Sequence, residues 1–296
     1  MLLSVLRRSW AGLGLLAVGL AASLSGCGDT FVDPFLREGG PFSVYGVLIS
    51  ESQTATQRVR IQAVRTLPDP PTDPRQPAAA FSALVWTKNL TTGDSLLWNR
   101  SEVRLPDGTL GVLFEQRFYP RPGSIYRLHI QRAADDRLTT ADLLVPAIPQ
   151  ATLALPVVSG GRVTQAVTWS AARLAETRFN VRVGTPEGLR PVFVDVGLPQ
   201  PGEPLVLDFT AIAAEVRRQI DFSPAEPIGL AEAGLIVLGA DETWPLPPGD
   251  LREMAQPGVY TNVENGYGFV GAVTRGAVVW QPDADAMRAA GFEPRY

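Results

Sequence analysis

The amino-acid sequence predicts a mainly β protein built from sandwich-like modules. Three observations indicate this fold class. Apolar and polar residues alternate with a period of two in many short segments, as in strands with one wet face. The 28 glycines and 26 prolines are scattered along the chain, which favours short elements over long helices. Turn signals in the first half are closely spaced, as in a sandwich.

The strand candidates fall into two groups. In the first group the alternation begins at Phe42, and its last strand candidate ends at Pro146. Pro149 follows, and alternation resumes beyond it. A chain of this length commonly forms two domains. We therefore predict an N-terminal β-sandwich domain over 42–148 and a C-terminal β-rich domain over 149–296.

Most segments of the first domain alternate or form short apolar runs between turns. The candidates are 42–49, 58–63, 81–86, 95–98, 111–114, 125–130 and 139–145. Residues 67–77 contain five prolines and cannot donate a regular ladder of hydrogen bonds, which predicts a loop. A proline-rich ligand for a recognition domain is the alternative for this stretch.

The second domain combines strands with one or two short helices. Its strand candidates are 163–169, 179–183, 192–196, 235–238 and 270–280. Ile212, Val216 and Ile220 lie four residues apart, which predicts an amphipathic helix near 210–220 with Asp208 or Thr210 as its cap. A shorter helix is predicted over 282–290, ending before Gly291.

The first 26 residues have the layout of a signal peptide. Arg7 and Arg8 precede the uncharged apolar stretch 11–22, which is shorter than the roughly 20 residues that span a bilayer. The next residues, 24–27, read Leu-Ser-Gly-Cys and resemble the lipobox of bacterial lipoproteins. We therefore predict a lipoprotein signal peptide over 1–26.

Cys27 is the only cysteine of the chain and lies where the lipobox places the lipidated residue. The resemblance implies a lipid on Cys27 that anchors the mature chain to a membrane, with 27–41 as a tether. Three acyl chains exceed the two signals that stable anchoring needs. The alternative is a chance cysteine beside an ordinary cleavage site.

Charge and composition exclude some functions. The mature chain has 24 basic and 30 acidic residues, and its longest basic cluster is Arg217-Arg218, so nucleic acid is not an expected partner. With one cysteine, the chain cannot form an internal disulfide. Its stability outside the cytoplasm therefore depends on burial.

The sequence contains no recognisable catalytic or metal motif, so we predict no enzyme, no metal and no cofactor. His129 is the only histidine, and the alternation over 125–130 predicts that it lies on the outward face of a strand. It has no His or Cys neighbour that would complete a zinc site. No Gly-x-Ser-x-Gly elbow presents a nucleophile.

Paired carboxylates are the remaining catalytic option, because two acids suffice to hydrolyse glycosides. Such a pair would make the chain a lipid-anchored glycan hydrolase. The pairs are Asp135-Asp136, Asp241-Glu242 and Asp283 with Asp285, and each also has a structural explanation in a turn, a loop or a helix start. Asp135, Asp136 and Asp142 lack the spacing of a known calcium loop.

Tyr126 follows a Pro-Gly turn at 122–123 and begins a strand candidate. This arrangement resembles immunoglobulin-like sandwiches, in which a tyrosine hydroxyl bonds to nearby backbone at a corner. The resemblance implies an immunoglobulin-like N-terminal domain and a structural role for Tyr126.

Two features are candidate contact sites for a partner. Trp244 lies between acids and a proline-rich stretch, and it is the one tryptophan of the mature chain that we expect to be exposed. Residues 262–272 read Asn-Val-Glu-Asn-Gly-Tyr-Gly-Phe-Val-Gly-Ala, which predicts either closure of the last sheet or a contact site. The polar groups able to recognise a partner there are Asn262, Glu264, Asn265 and Tyr267.

The lipobox, the early strand at 45–48, the Tyr126 strand and the Asn-Gly-Tyr-Gly-Phe segment together resemble the Bacteroidota lipoproteins that carry domain of unknown function 4249. Members are often encoded beside TonB-dependent outer-membrane receptors. The resemblance implies an outer-membrane lipoprotein that acts as a non-enzymatic binding or accessory component, with such a receptor as partner. A structural or adhesion module is a further alternative.

Overall fold

The structure is a computed structural model, and it describes residues 42–63, 82–104, 110–134, 136–185, 188–200, 202–220, 227–244 and 261–295. The signal peptide 1–26, the tether 27–41 and the lipidation site Cys27 lie outside these residues. So do the proline-rich stretch 67–77 and Asp135.

The largest sheet takes strands from both sequence halves. Within the described chain it has nine strands, eight of which come from 42–63, 99–118, 173–195 and 228–280. In spatial order these strands are β13 (Gly188–Asp195), β12 (Arg173–Thr185), β15 (Ile228–Ala240), β17 (Tyr267–Trp280), β1 (Phe42–Ser50), β2 (Ala55–Ala63), β6 (Leu110–Phe118) and β5 (Asn99–Arg104), and β18 (Phe292–Pro294) pairs with β15.

The two sequence halves meet where β1 runs parallel to β17, from Ser43 opposite Tyr267 to Ser50 opposite Thr274. Gly268 permits this pairing. Its φ is 99°, and a Cβ at this position would lie 2.1 Å from the carbonyl oxygen of Val44. Only glycine fits a positive φ at so close an approach.

A second sheet covers the N-terminal half of the first. Its described strands, in spatial order, are β16 (Val263–Glu264), β8 (Leu138–Leu144), β7 (Ile125–Arg132), β3 (Ala83–Asn89) and β4 (Ser95–Leu97). Side chains from both sheets form one hydrophobic core, which includes Phe42, Phe114 and Leu128 and also Val263 and Val270 from the C-terminal half. This two-layer packing is that of a sandwich.

A third sheet and two helices of the described chain cover the C-terminal half. The described strands of this sheet are β9 (Ala151–Leu153), β10 (Val157–Ser159), β11 (Arg162–Trp169) and β14 (Leu205–Asp208), and the helices are α1 (Phe209–Ile220) and α2 (Ala284–Ala290). They enclose a second core with Phe179, Leu207, Ile212, Leu235 and Met287.

Both predicted helices are confirmed, and local signals explain their ends. The Asp208 carboxylate accepts a hydrogen bond from the Ala211 backbone N–H at 3.0 Å and caps α1. Asp283 caps α2 in the same way, and Gly291 ends it with a φ of 95°. A left-handed glycine is a common helix terminator.

The fold is mainly β, as predicted, and its packed sheets are compatible with a sandwich architecture. The immunoglobulin-like assignment stays a prediction. The expected corner bond at Tyr126 is confirmed, because the Arg121 backbone N–H donates to the Tyr126 hydroxyl at 3.1 Å.

The predicted boundary between residues 148 and 149 divides neither the large sheet nor the N-terminal core, since both take residues from the two halves of the chain. Gly39–Tyr296 forms one compact unit. The chain at Pro149, which links the two halves, passes close to Gly239 and Gly276 of the sheet. A Cβ on Gly239 would lie 2.5 Å from Pro149 Cγ, and one on Gly276 would lie 2.9 Å from the Pro149 carbonyl oxygen. None of the described helices has the length and apolar character needed to cross a membrane.

Candidate functional site

A row of outward-facing side chains crosses the five-stranded sheet. Trp86 lies between the buried residues Val85 and Thr87 and therefore points away from the core. The cross-strand register aligns it in one row with Leu97, His129, Thr140 and Glu264. We define the Trp86 face as this row together with Leu84, Lys88, Ile125, Arg127, Gln131, Leu138, Asp142 and Leu144.

The centre of the Trp86 face is an aromatic stack. The rings of Trp86 and His129 are 4.7 Å apart and 2° from parallel. Among the described residues neither ring nitrogen of His129 has a hydrogen-bond partner, and both are shielded from solvent. Burial, and then the positive charges of Arg127 and Lys88, hold the pKa of His129 below its ordinary value. The imidazole is therefore neutral at pH 7.

Aliphatic side chains surround this stack. Leu97 is 56% exposed and Leu84 50% exposed, far more than a residue that packs into a core. The others with at least two fifths of their surface exposed are Ile125, Leu138 and Leu144. An aromatic centre with exposed aliphatic residues around it is typical of a protein contact surface.

The Trp86 face carries four charged side chains, and two of them, Arg127 and Asp142, form a bidentate ion pair. Arg127 Nε donates to Asp142 Oδ1 at 2.6 Å, and its Nη2 donates to Oδ2 at 2.7 Å. The side-chain bond to Arg127 lowers the pKa of Asp142. The Asp142 carboxylate therefore stays ionised, and both of its oxygens are bonded to Arg127. It is for this reason unsuited to hold calcium with Asp136.

Trp244 lies on the opposite surface of the sandwich, over the nine-stranded sheet. Its ring meets that of Phe269 edge-on at 5.6 Å. A Cβ on Gly271 would lie 2.7 Å from Trp244 Cζ3, and Arg173 Nη1 donates to the Trp244 carbonyl at 2.6 Å. The expectation of an exposed ring was therefore wrong. Trp244 is half-buried because Gly271 leaves room for it against the sheet.

Residues 262–272 do not gather their polar groups into one site. Asn262 exchanges two bonds with the Val270 backbone, at 2.6 Å and 3.0 Å. Tyr267 is only 8% exposed. Asn265 forms a turn with a φ of 51°, and its carbonyl accepts a hydrogen bond from the Thr139 hydroxyl. These three residues close the sheet.

Glu264 differs from these neighbours because it lies on the Trp86 face. It is exposed, and the Thr140 hydroxyl donates to its carboxylate at 3.0 Å. Of the predicted contact residues, Glu264 is therefore the one that the fold places beside the aromatic stack.

Four described acids of the predicted pairs have local partners, the first being Asp136, which accepts a hydrogen bond from Gln131 Nε2 at 3.1 Å. Asp241 accepts hydrogen bonds from the backbone N–H and hydroxyl of Thr243, Asp283 caps α2, and Asp285 pairs with Arg288 at 2.9 Å. No group of three or more His, Cys, Asp or Glu residues able to hold a metal occurs in the described part of the chain.

One cavity of about 160 Å³ opens beside Trp169, Arg173 and Glu203. Pockets that bind drug-sized ligands are larger, roughly 300–1,000 Å³. Among the described residues the indole N–H of Trp169 lacks a hydrogen-bond partner, but it is shielded from solvent and is therefore not available to a ligand.

Sequence reasoning missed the Trp86 face as a unit. The alternation at 125–130 correctly placed His129 on an outward face. The pairing of His129 with Trp86 and Leu97 depends on strand register, which local patterns do not encode.

Comparison with known proteins adds no assignment to this geometry. No protein-family model matches the chain, and a search of curated proteins finds no relative. The candidate function therefore rests on the residues of this chain.

Proposed function

We propose that the chain is a lipid-anchored lipoprotein of the cell envelope that binds a protein partner through the Trp86 face. The observation that carries the proposal is the row from Leu97 through the Trp86–His129 stack to Glu264. The role is non-enzymatic, as an accessory component of an outer-membrane uptake system of the TonB-dependent receptor type.

The lipobox supports the anchor. A lipid on Cys27 would hold the mature chain at the membrane through the tether 27–41. A partner in the same membrane would then meet the Trp86 face at high effective concentration, so that a modest contact surface would suffice.

The composition of the face favours a protein over a glycan. Sugar sites need polar groups around an aromatic ring, whereas Trp86 has Leu97 on one side and Leu84 near it, both at least half exposed. The charges of Arg127 and Asp142 are already paired. Burying such aliphatic surface against another protein contributes about 25 cal/mol per Å².

The test uses the full chain, tagged at its C-terminus and expressed in its own bacterium. Wild type and Cys27→Ala are compared by labelling with a lipid precursor and by membrane fractionation. We expect wild type to be lipidated and membrane-bound and Cys27→Ala to be neither. A Cys27→Ala chain that fractionates with membranes like wild type contradicts the anchor.

The contact surface is tested with Leu97→Asp and a matched control, Val206→Asp. Leu97 is 56% exposed and Val206, on the third sheet, is 55% exposed, so both changes place one charge on a comparably exposed strand. We expect an outer-membrane receptor to co-purify with wild type and Val206→Asp and to be at least tenfold depleted with Leu97→Asp. Equal recovery with both variants contradicts the assignment of the Trp86 face.

A further inference from the structure

The outer surface of the nine-stranded sheet carries a second row, which is independent of the Trp86 face. Its register aligns Phe269, Tyr45, Arg60, Leu113 and Ser101 across β17, β1, β2, β6 and β5. Trp244 extends the row through its contact with Phe269. We call these residues the Arg60 row, because Arg60 is its only charged member.

Arg60 is half-buried and has no ion-pair partner in the described part of the chain. Among the described residues its Nε–H has no hydrogen-bond partner and is shielded from solvent. Two residues away on the same strand face, Arg58 is ion-paired with Glu115, and its side chain is 61% exposed. Two arginines on the same face of β2 therefore differ in burial and in ion pairing.

Partial burial makes the charge of Arg60 sensitive to an added anion. Because the Nε end of the guanidinium is shielded from solvent, the charge is less well solvated than that of a fully exposed arginine. Coulombic attraction increases as the local dielectric falls. A carboxylate at the outer end would also match the fork of the guanidinium with two parallel hydrogen bonds.

The surroundings carry excess positive charge. Arg58, Arg60 and Arg117 share this face of β2 and β6 with one acid, Glu115, although the whole chain has a net charge of −4. Arg117 is exposed and, like Arg60, has no acidic partner in the described chain. The face therefore attracts anions within an acidic protein.

We propose that the Arg60 row binds an acidic peptide segment of a partner protein, with a Glu or Asp carboxylate on Arg60. Tyr45 and Leu113 flank Arg60 on the neighbouring strands and provide apolar contacts for the residues on either side of the acid. A lipid headgroup or a free phosphate has no apolar side chains that would contact Tyr45 and Leu113. A peptide is therefore favoured over both.

The test is an NMR titration of the full mature chain in detergent micelles. The probe is the capped peptide acetyl-Val-Glu-Val-amide, with acetyl-Val-Gln-Val-amide as its uncharged match. The reporters are the Arg60 Nε–H and the backbone amide of Leu113. We expect saturable shifts at both with the Glu peptide and at least tenfold weaker binding of the Gln peptide.

Arginine variants give the matched control. Arg60→Met should weaken binding of the Glu peptide at least tenfold at the Leu113 reporter, whereas Arg58→Met should change it less than twofold. Arg60→Lys keeps the positive charge but loses the two-pronged guanidinium, so its affinity for the Glu peptide should lie between those of Arg60→Met and Arg58→Met. A urea midpoint for Arg60→Met near that of wild type shows that the fold is retained.

Three outcomes would overturn the proposal. The Gln peptide could bind as tightly as the Glu peptide, or Arg58→Met could weaken binding as much as Arg60→Met. Arg60-dependent binding to vesicles of phosphatidylglycerol, without binding of the Glu peptide, would assign the row to a lipid surface instead.

Discussion

Single glycines allow neighbouring backbone segments to approach each other closely in this fold, and the closest of these approaches is at Gly268. It joins β17 to β1 at the point where the two sequence halves meet. Both its positive φ and its distance to the Val44 carbonyl exclude a side chain.

Gly268→Ala should therefore lower the free energy of unfolding by on the order of 3 kcal/mol, because it adds a steric clash to backbone strain. Gly93→Ala is the matched control. Gly93 also has a positive φ, 86°, but nothing lies within 4 Å of its Cβ position, so about 1 kcal/mol is expected. Urea unfolding of both variants measures the difference. Equal losses would show that the approach to Val44 has no energetic consequence.

His129 makes stability depend on pH. Its pKa in the folded chain is lowered by burial, by Arg127 and by Lys88, and raised in part by Asp142. The unfolded chain therefore binds its proton at higher pH than the folded chain. The free energy of unfolding should therefore fall as the pH drops below about 6.5. The contribution of His129 to this loss ends once the pH is below its pKa in the folded chain.

The measurement is an NMR titration of the His129 ring, which is the only imidazole of the chain, together with urea midpoints at pH 7.5 and 5.5. His129→Gln should show a smaller loss of stability between these two values than wild type. A folded-state pKa at or above 6.5 would contradict the description of the Trp86–His129 stack as a desolvated, neutral pair.

Local sequence signals determine the elements, and the two helices show this best. The spacing of Ile212, Val216 and Ile220 and the caps Asp208 and Gly291 predict helix positions to within a few residues. The reason is that caps and amphipathic spacing act within one or two turns.

Asp283→Ala should destabilise the chain by about 1 kcal/mol, because the carboxylate accepts the Ala286 N–H at 2.8 Å and caps α2. Asp285→Ala provides the control. Its side chain is 93% exposed and, among the described residues, pairs with Arg288 alone, so a change below about 0.5 kcal/mol is expected. Thermal unfolding compares the two, and a larger loss for Asp285→Ala would contradict the capping role.

Strand pairing across long sequence distances could not be predicted. β1 and β17 are separated by more than 200 residues, and period-two alternation identifies a strand without naming its neighbour. Residues 270–280 gave only a general strand signal, because much of β17 is buried on both faces. The same limit applies to the surfaces. His129 was placed outward correctly, but its stack with Trp86 and the isolation of Arg60 depend on register.

At the scale of the whole molecule, two cores share one sheet. The N-terminal core takes Val263, Val270 and Ala272 from the second half of the chain. The fragment 42–148 lacks β16 and β17 and should therefore have no cooperative urea transition, whereas the full chain should have one. A cooperative transition in the isolated fragment would show that 42–148 is an independent domain.

We propose one contact region on each of the two outer surfaces of the N-terminal sandwich. The Trp86 face has an aromatic centre with exposed aliphatic side chains around it, and the Arg60 row has one guanidinium without an acidic partner in the described chain. A lipid-anchored chain with this arrangement could engage one partner on each side without competition between them.

The most direct test of the central claim is site-specific photo-crosslinking of the lipidated chain in intact cells. A photoreactive phenylalanine replaces Leu97 on the Trp86 face or, as the control, Val206 on the third sheet. The proposal predicts a crosslink from position 97 to an outer-membrane receptor and none from position 206. Crosslinks to that receptor from position 206 but not from position 97 would contradict it.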